Sequence, residues 1–375
     1  MSVATGHSRT TAMSPLVHEE LQWDRQFHPN LGGVTRGGMA NHFPMTVLAL
    51  HGLGASDNEV RAFGASWPRH RATIEGDLQL VDRGHVTAEN WAEFLGQSER
   101  LLEFRRVFEA LLGGGRELEV VAGALAVMRD SLPMGLFHPL IRVSFAVTHG
   151  DRGLIADALA YMAIRHLDLF RANALTEAVE GTGSAASVWR RVAGDERVLE
   201  ARNSIDGGSI RVCERLCAER SLHAAALPAD LALRVSEVCL LALRLYVFAP
   251  SLTTLHAVTA AQALADLTAR CGSAQTASFS ALWARYWIWL TALYVEKGRP
   301  AALPAAERTP SHDWDALAAR ARATPEVHLI KMAYSCRWLD ETFGPEPLYA
   351  LAVANMLAEE TAHPRRGAGF SPTRL

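Results

Sequence analysis

Apolar residues recur at helical spacing along almost the whole chain. Runs of this kind, bounded by Gly and Pro, are typical of α-helices, whereas a half-buried strand would alternate apolar and polar residues. The best strand candidate, Leu118–Val121, is short and lies inside a helical run. The pattern therefore predicts an all-α fold without a sheet, in a single multi-helix domain whose functional site is buried between helices.

The boundaries of the helices follow from these runs, because the glycines and prolines fall mostly between them. Residues 1–36 and 360–375 are rich in Gly, Pro, Ser, Thr and Arg, so we expect both to be poorly ordered. The predicted domain covers residues 37–359. Its predicted helices are Thr46–Leu53, Thr87–Leu112, Glu117–Asp130, Leu136–Thr148, Leu154–Leu167, Ser187–Arg202, Ser209–Arg220, Asp230–Phe248, Leu252–Ala269, Ser278–Lys297, His312–Arg322, Glu326–Thr342 and Pro347–Glu359.

Composition and charge narrow the class of protein. A hydrophobic content of 49% and a charged content of 21% are ordinary for a globular protein, and a net charge of −3 favours neither nucleic acid nor an anionic membrane. The longest clean apolar run, Tyr286–Val295, has ten residues, about half of what a membrane span needs. The first 20 residues are polar and lack the apolar core of a signal peptide, and five scattered cysteines indicate reduced thiols. We therefore expect a cytoplasmic protein.

Four histidines lie inside otherwise apolar, helical stretches of the chain. A buried imidazole needs a partner for each ring nitrogen, because an unpaired buried polar group costs roughly 1–3 kcal/mol. A backbone carbonyl readily explains one such histidine. Four from distant segments are more simply explained by a shared metal ion. They are His42, His138, His256 and His328.

A lysine accompanies the last of these histidines. Lys331 follows His328 by three residues, so on a helix the two side chains share a face. Its neighbours in sequence are apolar, and a buried ammonium among them would be unfavourable. Lys331 is therefore a further candidate for the metal site, and the alternative is a lysine whose long stem reaches the surface.

Each histidine also has a structural interpretation. His42 and His138 stand near prolines at expected helix ends, and His328 lies in the first turn after Pro325. His256 would occupy the inward face of a helix, where a carbonyl partner would satisfy it. His28 and His149 are additional candidate ligands, although His149 beside a glycine is also explained by the helix C-terminus.

Four segments of the chain resemble, in their order, the successive signatures of the questin oxidase-like family. The resemblance covers about residues 37–350, and its most specific block is Phe137–Ile141. The segments are Asn41–Met45 with Leu53–Ser56, Gly135–Ile141, Leu255–Thr259 and Val327–Lys331.

The resemblance implies an all-helical oxygenase. Fungal relatives open anthraquinone rings oxidatively in polyketide biosynthesis, and some are described as Baeyer–Villiger-type oxidases that use NADPH. At least one branch uses non-haem iron held by four histidines and a lysine carboxylated to a carbamate. Carried over to this chain, the iron ligands would be His42, His138, His256, His328 and Lys331. Many fungal members have a histidine where this chain has Met45, so we expect the chemistry beside the substrate to differ there.

The charge balance of the proposed site favours a carbamate over an unmodified lysine. Four neutral imidazoles leave a 2+ charge uncompensated in an apolar site, and an unmodified lysine would add another positive charge. A carbamate instead supplies an anionic oxygen, and this donor set with an open position suits Fe(II) and O₂. Zinc sites are more often closed and tetrahedral.

The sequence thus predicts a non-haem iron oxygenase that uses O₂ and acts on an aromatic polyketide or quinone by ring cleavage or oxygen insertion. Two alternatives stay open: a metal-free oxygenase using NADPH, for which no dinucleotide motif is seen, and a non-enzymatic helical binding protein. The substrate would be a small aromatic molecule, and the sequence does not indicate the oligomeric state.

The candidate pocket residues are Met45, Phe137, Trp283 and Trp287, although a purely structural role for the aromatic segment 283–294 is the stronger interpretation.

Overall fold

A computed structural model describes residues 13–34, 39–67, 71–77, 79–170, 184–218, 222, 235–271, 276–305 and 312–362 of the chain. The described residues form α-helices and short 3₁₀ turns, and within them only two isolated β-bridges occur. The α-helices are α1 Pro15–Asp24, α2 Phe43–Gly52, α3 Asp57–Ser66, α4 Leu101–Leu112, α5 Glu117–Val127, α6 His138–His149, α7 Arg152–Ile164, α8 Ala185–Ala193, α9 Glu196–Asn203, α10 Ser209–Ala218, α11 Val235–Phe248, α12 Leu252–Cys271, α13 Thr276–Glu296, α14 Trp314–Arg322, α15 Val327–Phe343 and α16 Pro347–Ala362. The predicted all-α fold is confirmed.

The helices form two compact units. The terminal unit comes from the two ends of the chain and contains α1–α3 and α14–α16. The central unit lies within residues 78–304 and contains α4–α13. The predicted domain boundaries stay predictions. The segment 1–36, expected to be poorly ordered, includes α1, whose Val17 and Leu21 are buried.

In the terminal unit, α2 packs against α1 and α15, and α15 also packs against α14 and α16. Every side chain of α2 from Phe43 to Leu50 is buried, because its sequence is apolar on all sides apart from Thr46. The hydroxyl of Thr46 donates to the His42 carbonyl at 2.9 Å, so this polar group is satisfied within the helix.

In the central unit, α12 is the innermost helix. All its residues from Thr253 to Leu267 are buried, and it packs against α5, α6, α11 and α13. Helices α6 and α7 form an antiparallel hairpin, with Gly150 at φ +82° in the turn and the Asp151 side chain capping α7. A positive φ favours glycine, so the turn follows directly from the sequence.

Two predicted helices include segments at which the structure interrupts the α-helix. The predicted Thr87–Leu112 is an α-helix only from Leu101, because Gly96 adopts φ +83° and its N–H donates to the Ala163 carbonyl. The predicted Ser187–Arg202 is divided at Gly194, after which Asp195 caps α9. Helix α3 was missed, although Ser56 and Glu59 form a capping box at its start.

None of the described helices combines the length and the apolarity that crossing a bilayer requires. All five cysteines are buried and carry free thiols.

Candidate metal centre

Three predicted ligands, His42, His328 and Lys331, meet in the terminal unit and are called the terminal cluster. The ring centroids of His42 and His328 are 4.8 Å apart, and Lys331 Nζ lies 3.2 Å from His42 Nδ1. The packing of α2 against α15 brings them together, since His42 directly precedes α2 and the other two lie on one face of α15.

A buried polar network holds the backbone on both sides of His42. The Asn41 amide donates to both carboxylate oxygens of Asp24 at 3.0 Å and accepts from the Phe43 N–H at 3.1 Å. Asp24 in turn forms a buried ion pair with Arg71 at 2.7 Å. Because this network is buried and multiply bonded, it fixes the position from which the imidazole of His42 projects.

Glu326 fixes the orientation of His328. One carboxylate oxygen of Glu326 accepts from the backbone N–H of His328 at 3.0 Å and lies 2.8 Å from its Nδ1. An Nδ1–H donated to this oxygen leaves Nε2 as the lone-pair nitrogen. A carboxylate behind a histidine is the arrangement that orients metal-binding imidazoles and raises their basicity.

Lys331 is fully buried, with 0% of its surface exposed. Burial lowers the pKa of its amine from 10.5 to about 7, and the charge of Glu326 opposes this only in part. A substantial fraction of the amine is therefore neutral near pH 7. Only the neutral amine is a nucleophile, so this lysine is chemically suited to react with CO₂.

The other two predicted ligands, His138 and His256, meet in the central unit and are called the central cluster. His138 Nδ1 lies 2.6 Å from the Gly135 carbonyl, and His256 Nδ1 lies 2.8 Å from the Leu252 carbonyl. The Nε2 atoms of the two rings are 3.0 Å apart. The structural interpretation of His256, a carbonyl partner one turn earlier, therefore accounts for one of its nitrogens and leaves the other facing His138.

The two Nε2 atoms are close enough to contact one shared cation. When both Nδ1–H groups donate to carbonyls, both Nε2 atoms present lone pairs, and these repel each other. A proton or a metal ion in contact with both removes the repulsion. Two nitrogens that each lie about 2.1 Å from one ion and form a right angle there are about 3.0 Å apart, so the observed spacing fits two neighbouring metal ligands.

The backbone before His138 is strained. Gly135, Leu136 and Phe137 have φ of 61°, 53° and 62°, so two L-residues in succession are left-handed. Each costs roughly 1–2 kcal/mol. Such strain persists only where the surroundings enforce it, and here it brings the Gly135 carbonyl against the His138 ring.

The predicted pocket residues occupy different surroundings, and their role stays a prediction. Met45 is fully buried on α2 of the terminal unit. In the central unit, the Phe137 ring packs against Tyr286 and Trp289 at centroid distances of 5.8 and 5.7 Å. Trp283 donates its indole N–H to Thr268 at 3.0 Å. Trp287 stacks on Trp189 at 5.5 Å. These last contacts are those of a helix core.

Trp289 belongs to the aromatic segment 283–294 of the sequence but is not among the four predicted pocket residues. It is fully buried against Phe137, and its indole N–H has no hydrogen-bond partner in the described part of the chain. Helical spacing alone does not separate it from Trp283 and Trp287.

Of the two additional candidate ligands, His28 is buried and its Nδ1 accepts from the Asn30 N–H at 3.0 Å, which gives it a structural role. His149 is the last residue of α6.

The donor chemistry of both clusters fits iron. Imidazole nitrogens suit Fe(II), and the anionic oxygen that they lack would come from Lys331 if its amine were carboxylated. Comparison with known families gives a match to the family described as Questin oxidase-like over residues 39–336, which include all five candidate ligands. Comparison with curated proteins gives no match.

Proposed function

Because the chain belongs to the questin oxidase-like family, we propose that it is a non-haem iron-dependent oxygenase acting on an aromatic polyketide or quinone. Membership of the family implies an oxidoreductase with a small-molecule substrate. The iron, the ring cleavage or oxygen insertion, and a role in secondary metabolism are our proposals. The observation that supports a bound metal ion is the 3.0 Å distance between the His138 and His256 Nε2 atoms, while the Nδ1 atom of each ring lies against a backbone carbonyl.

We further propose the ligand set that the family resemblance implies, in which His42, His138, His256, His328 and Lys331 bind one ion. The support is chemical. The central cluster offers two neutral imidazoles and no anion, so by itself it would leave a 2+ ion uncompensated. The terminal cluster offers two more imidazoles and the only lysine of the set. All five residues lie within the family match.

The anionic ligand would be the carbamate of Lys331. The neutral amine attacks CO₂, an N–C bond forms, and one proton leaves, so that a buried base becomes a buried anion. Burial of Lys331 supports this step, because it holds the amine partly neutral near pH 7. Pairing of that anion with a metal ion would then stabilise both groups in an apolar interior.

Iron bound by these residues would supply the one-electron chemistry that lets O₂ react with a closed-shell aromatic molecule. The protein's own contribution is to orient ligands and exclude water. Glu326 and the Gly135 and Leu252 carbonyls set the tautomers of three imidazoles, and the buried rings of Phe137 and Trp289 make an apolar surface beside His138.

The reaction is tested with protein purified without a metal-affinity tag and loaded anaerobically with Fe(II). It is incubated with a hydroxyanthraquinone under ¹⁸O₂, with and without NADPH, and the products are analysed by mass spectrometry. We expect iron-dependent incorporation of ¹⁸O into an oxygenated or ring-opened product. Equal turnover by iron-free protein with NADPH would instead establish a metal-free oxygenase. Tight binding of the quinone without O₂ consumption would establish a binding protein.

A second test concerns Glu326, whose carboxylate contacts His328 Nδ1. Glu326→Gln keeps the size of the side chain but replaces the anionic acceptor beside Nδ1, so we expect metal affinity to fall about 10–100-fold. The matched control is Asp313→Asn, which alters the carboxylate that caps α14 but contacts no candidate ligand in the hydrogen bonds described for it. Metal affinity is measured by competition with a chelator. Equal affinities in both variants would show that Glu326 acts only as a helix cap.

A further inference from the structure

In the hairpin of α6 and α7, a second group of polar residues lies about as far from the turn as His138 does. His138 lies twelve residues before Gly150, and Tyr161 lies eleven residues after it. With a rise of about 1.5 Å per residue in both antiparallel helices, these positions stand at the same distance from the turn. Arg142 follows His138 by four residues and shares its face of α6, while Arg165 ends α7 one turn after Tyr161.

Tyr161 carries a buried donor without an acceptor. The residue is 1% exposed, and its hydroxyl has no hydrogen-bond partner among the residues that the structure describes. An unpaired buried hydroxyl is unfavourable, so native proteins rarely keep one without a ligand or a water. Tyr286 shows the ordinary arrangement in the same unit, because its equally buried hydroxyl donates to the Ala257 carbonyl at 2.7 Å.

The charges that act on the Tyr161 hydroxyl are positive. Arg165 and Arg142 both favour its ionised form, although burial outweighs them and raises its pKa to about 12. Arg165 reaches back to the strained segment before His138, since a side chain at Gly135 would meet its Nε at 3.4 Å. The nearby carboxylate of Asp157 pairs with Arg105 at 2.7 Å. An acceptor for the Tyr161 hydroxyl would therefore sit in a positive field.

We propose that Tyr161, Arg142 and Arg165 form a binding subsite for an anionic oxygen of an aromatic ligand, an ionised phenol or a carboxylate, one helical turn from His138. A hydroxyl donor and guanidinium groups are the chemistry that recognises such an oxygen, and charge-assisted hydrogen bonds are the strong ones. The subsite deepens the proposed function, on which it rests for the aromatic nature of the ligand. It would fix the end of the substrate that carries the acidic oxygen, and so the ring position presented to the metal.

The first arm of the test needs no ligand. Tyr161→Phe removes only the hydroxyl, and because that hydroxyl has no hydrogen-bond partner among the described residues, the melting temperature should stay the same or rise by about 1–2 °C. The matched control Tyr286→Phe leaves the Ala257 carbonyl without its donor and should lower the melting temperature. A fall in Tyr161→Phe equal to that in Tyr286→Phe would show that the hydroxyl has a structural partner, and would overturn the subsite.

The second arm measures binding by calorimetry, with benzoate as the anionic probe and benzamide as its neutral counterpart. We expect benzoate to bind the wild type and Tyr286→Phe alike, and at least about tenfold more weakly to Tyr161→Phe. Benzamide should bind none of them at comparable affinity. Absence of benzoate binding, or equal affinity in Tyr161→Phe, overturns the proposal. A carboxylate bound to the metal alone would not depend on Tyr161, so this result is separable from the success or failure of the iron site.

Discussion

Alanine in place of His42, His138, His256 or His328 is expected to weaken metal binding by at least about 100-fold in each case, because every variant removes one direct ligand. The protein should otherwise carry about one first-row metal ion per chain. His51→Ala is the control, since His51 lies in the last turn of α2 and is partly exposed. Metal content is measured by mass spectrometry after dialysis against a weak chelator.

The pattern of losses among the four variants is informative. Loss in all four supports one ion held by both clusters. Loss in only two would mean that the set mixes ligands with core histidines, and retention in all four would refute the shared site. Loss confined to His138 and His256 would leave the central cluster as a complete site and separate it from Lys331.

Lys331→Met is expected to weaken metal binding in the iron-loaded protein and to stabilise the metal-free protein. The two results together identify the role of the lysine. In the presence of iron, the variant should lose metal affinity and activity because it cannot form the anionic ligand. Added bicarbonate should raise the activity of the wild type and leave the variant unchanged. An equal response of both proteins to bicarbonate would contradict the carbamate.

In the metal-free protein, the same substitution should be stabilising. The lowering of the Lys331 pKa from 10.5 to about 7 corresponds to at most roughly 5 kcal/mol. The unfolded state binds more protons than the folded state between these values, so this cost is greatest at or below about pH 7 and disappears as the pH rises to about 10.5. Urea unfolding of the metal-free wild type and the metal-free Lys331→Met variant at pH 7 and pH 10 measures this cost. A stability difference that does not shrink with rising pH would show that Lys331 is not buried as an uncompensated base.

The all-α fold could be predicted because apolar periodicity is a local signal, and it is strong in buried helices such as α12. The histidines and Lys331 stood out for a related reason. A polar side chain in an apolar run contradicts its surroundings, and such conflicts concentrate at functional sites. The same reasoning failed at Gly96, where one positive φ ends the helical pattern without a change in composition.

Other parts of the site depend on contacts between distant residues. Nothing in the sequence distinguishes the Tyr161 hydroxyl from that of Tyr286, and only the neighbouring helix decides which of them finds a carbonyl. The left-handed Leu136 and Phe137 break the usual preference of L-residues, so no propensity predicts them. The ion pair of Asp24 with Arg71, which anchors the backbone beside His42, joins two segments with no recognisable motif.

The proposed centre is one iron ion shared by four imidazoles and a lysine carbamate, and diffraction at the iron absorption edge tests it most directly. Crystals of the iron-loaded protein should show one anomalous peak per chain. The peak should lie within about 2.0–2.3 Å of a ring nitrogen from each of His42, His138, His256 and His328, with planar density beyond Lys331 Nζ touching the ion. A peak held by one cluster alone, or a Lys331 amine without added density and away from the metal, would contradict it.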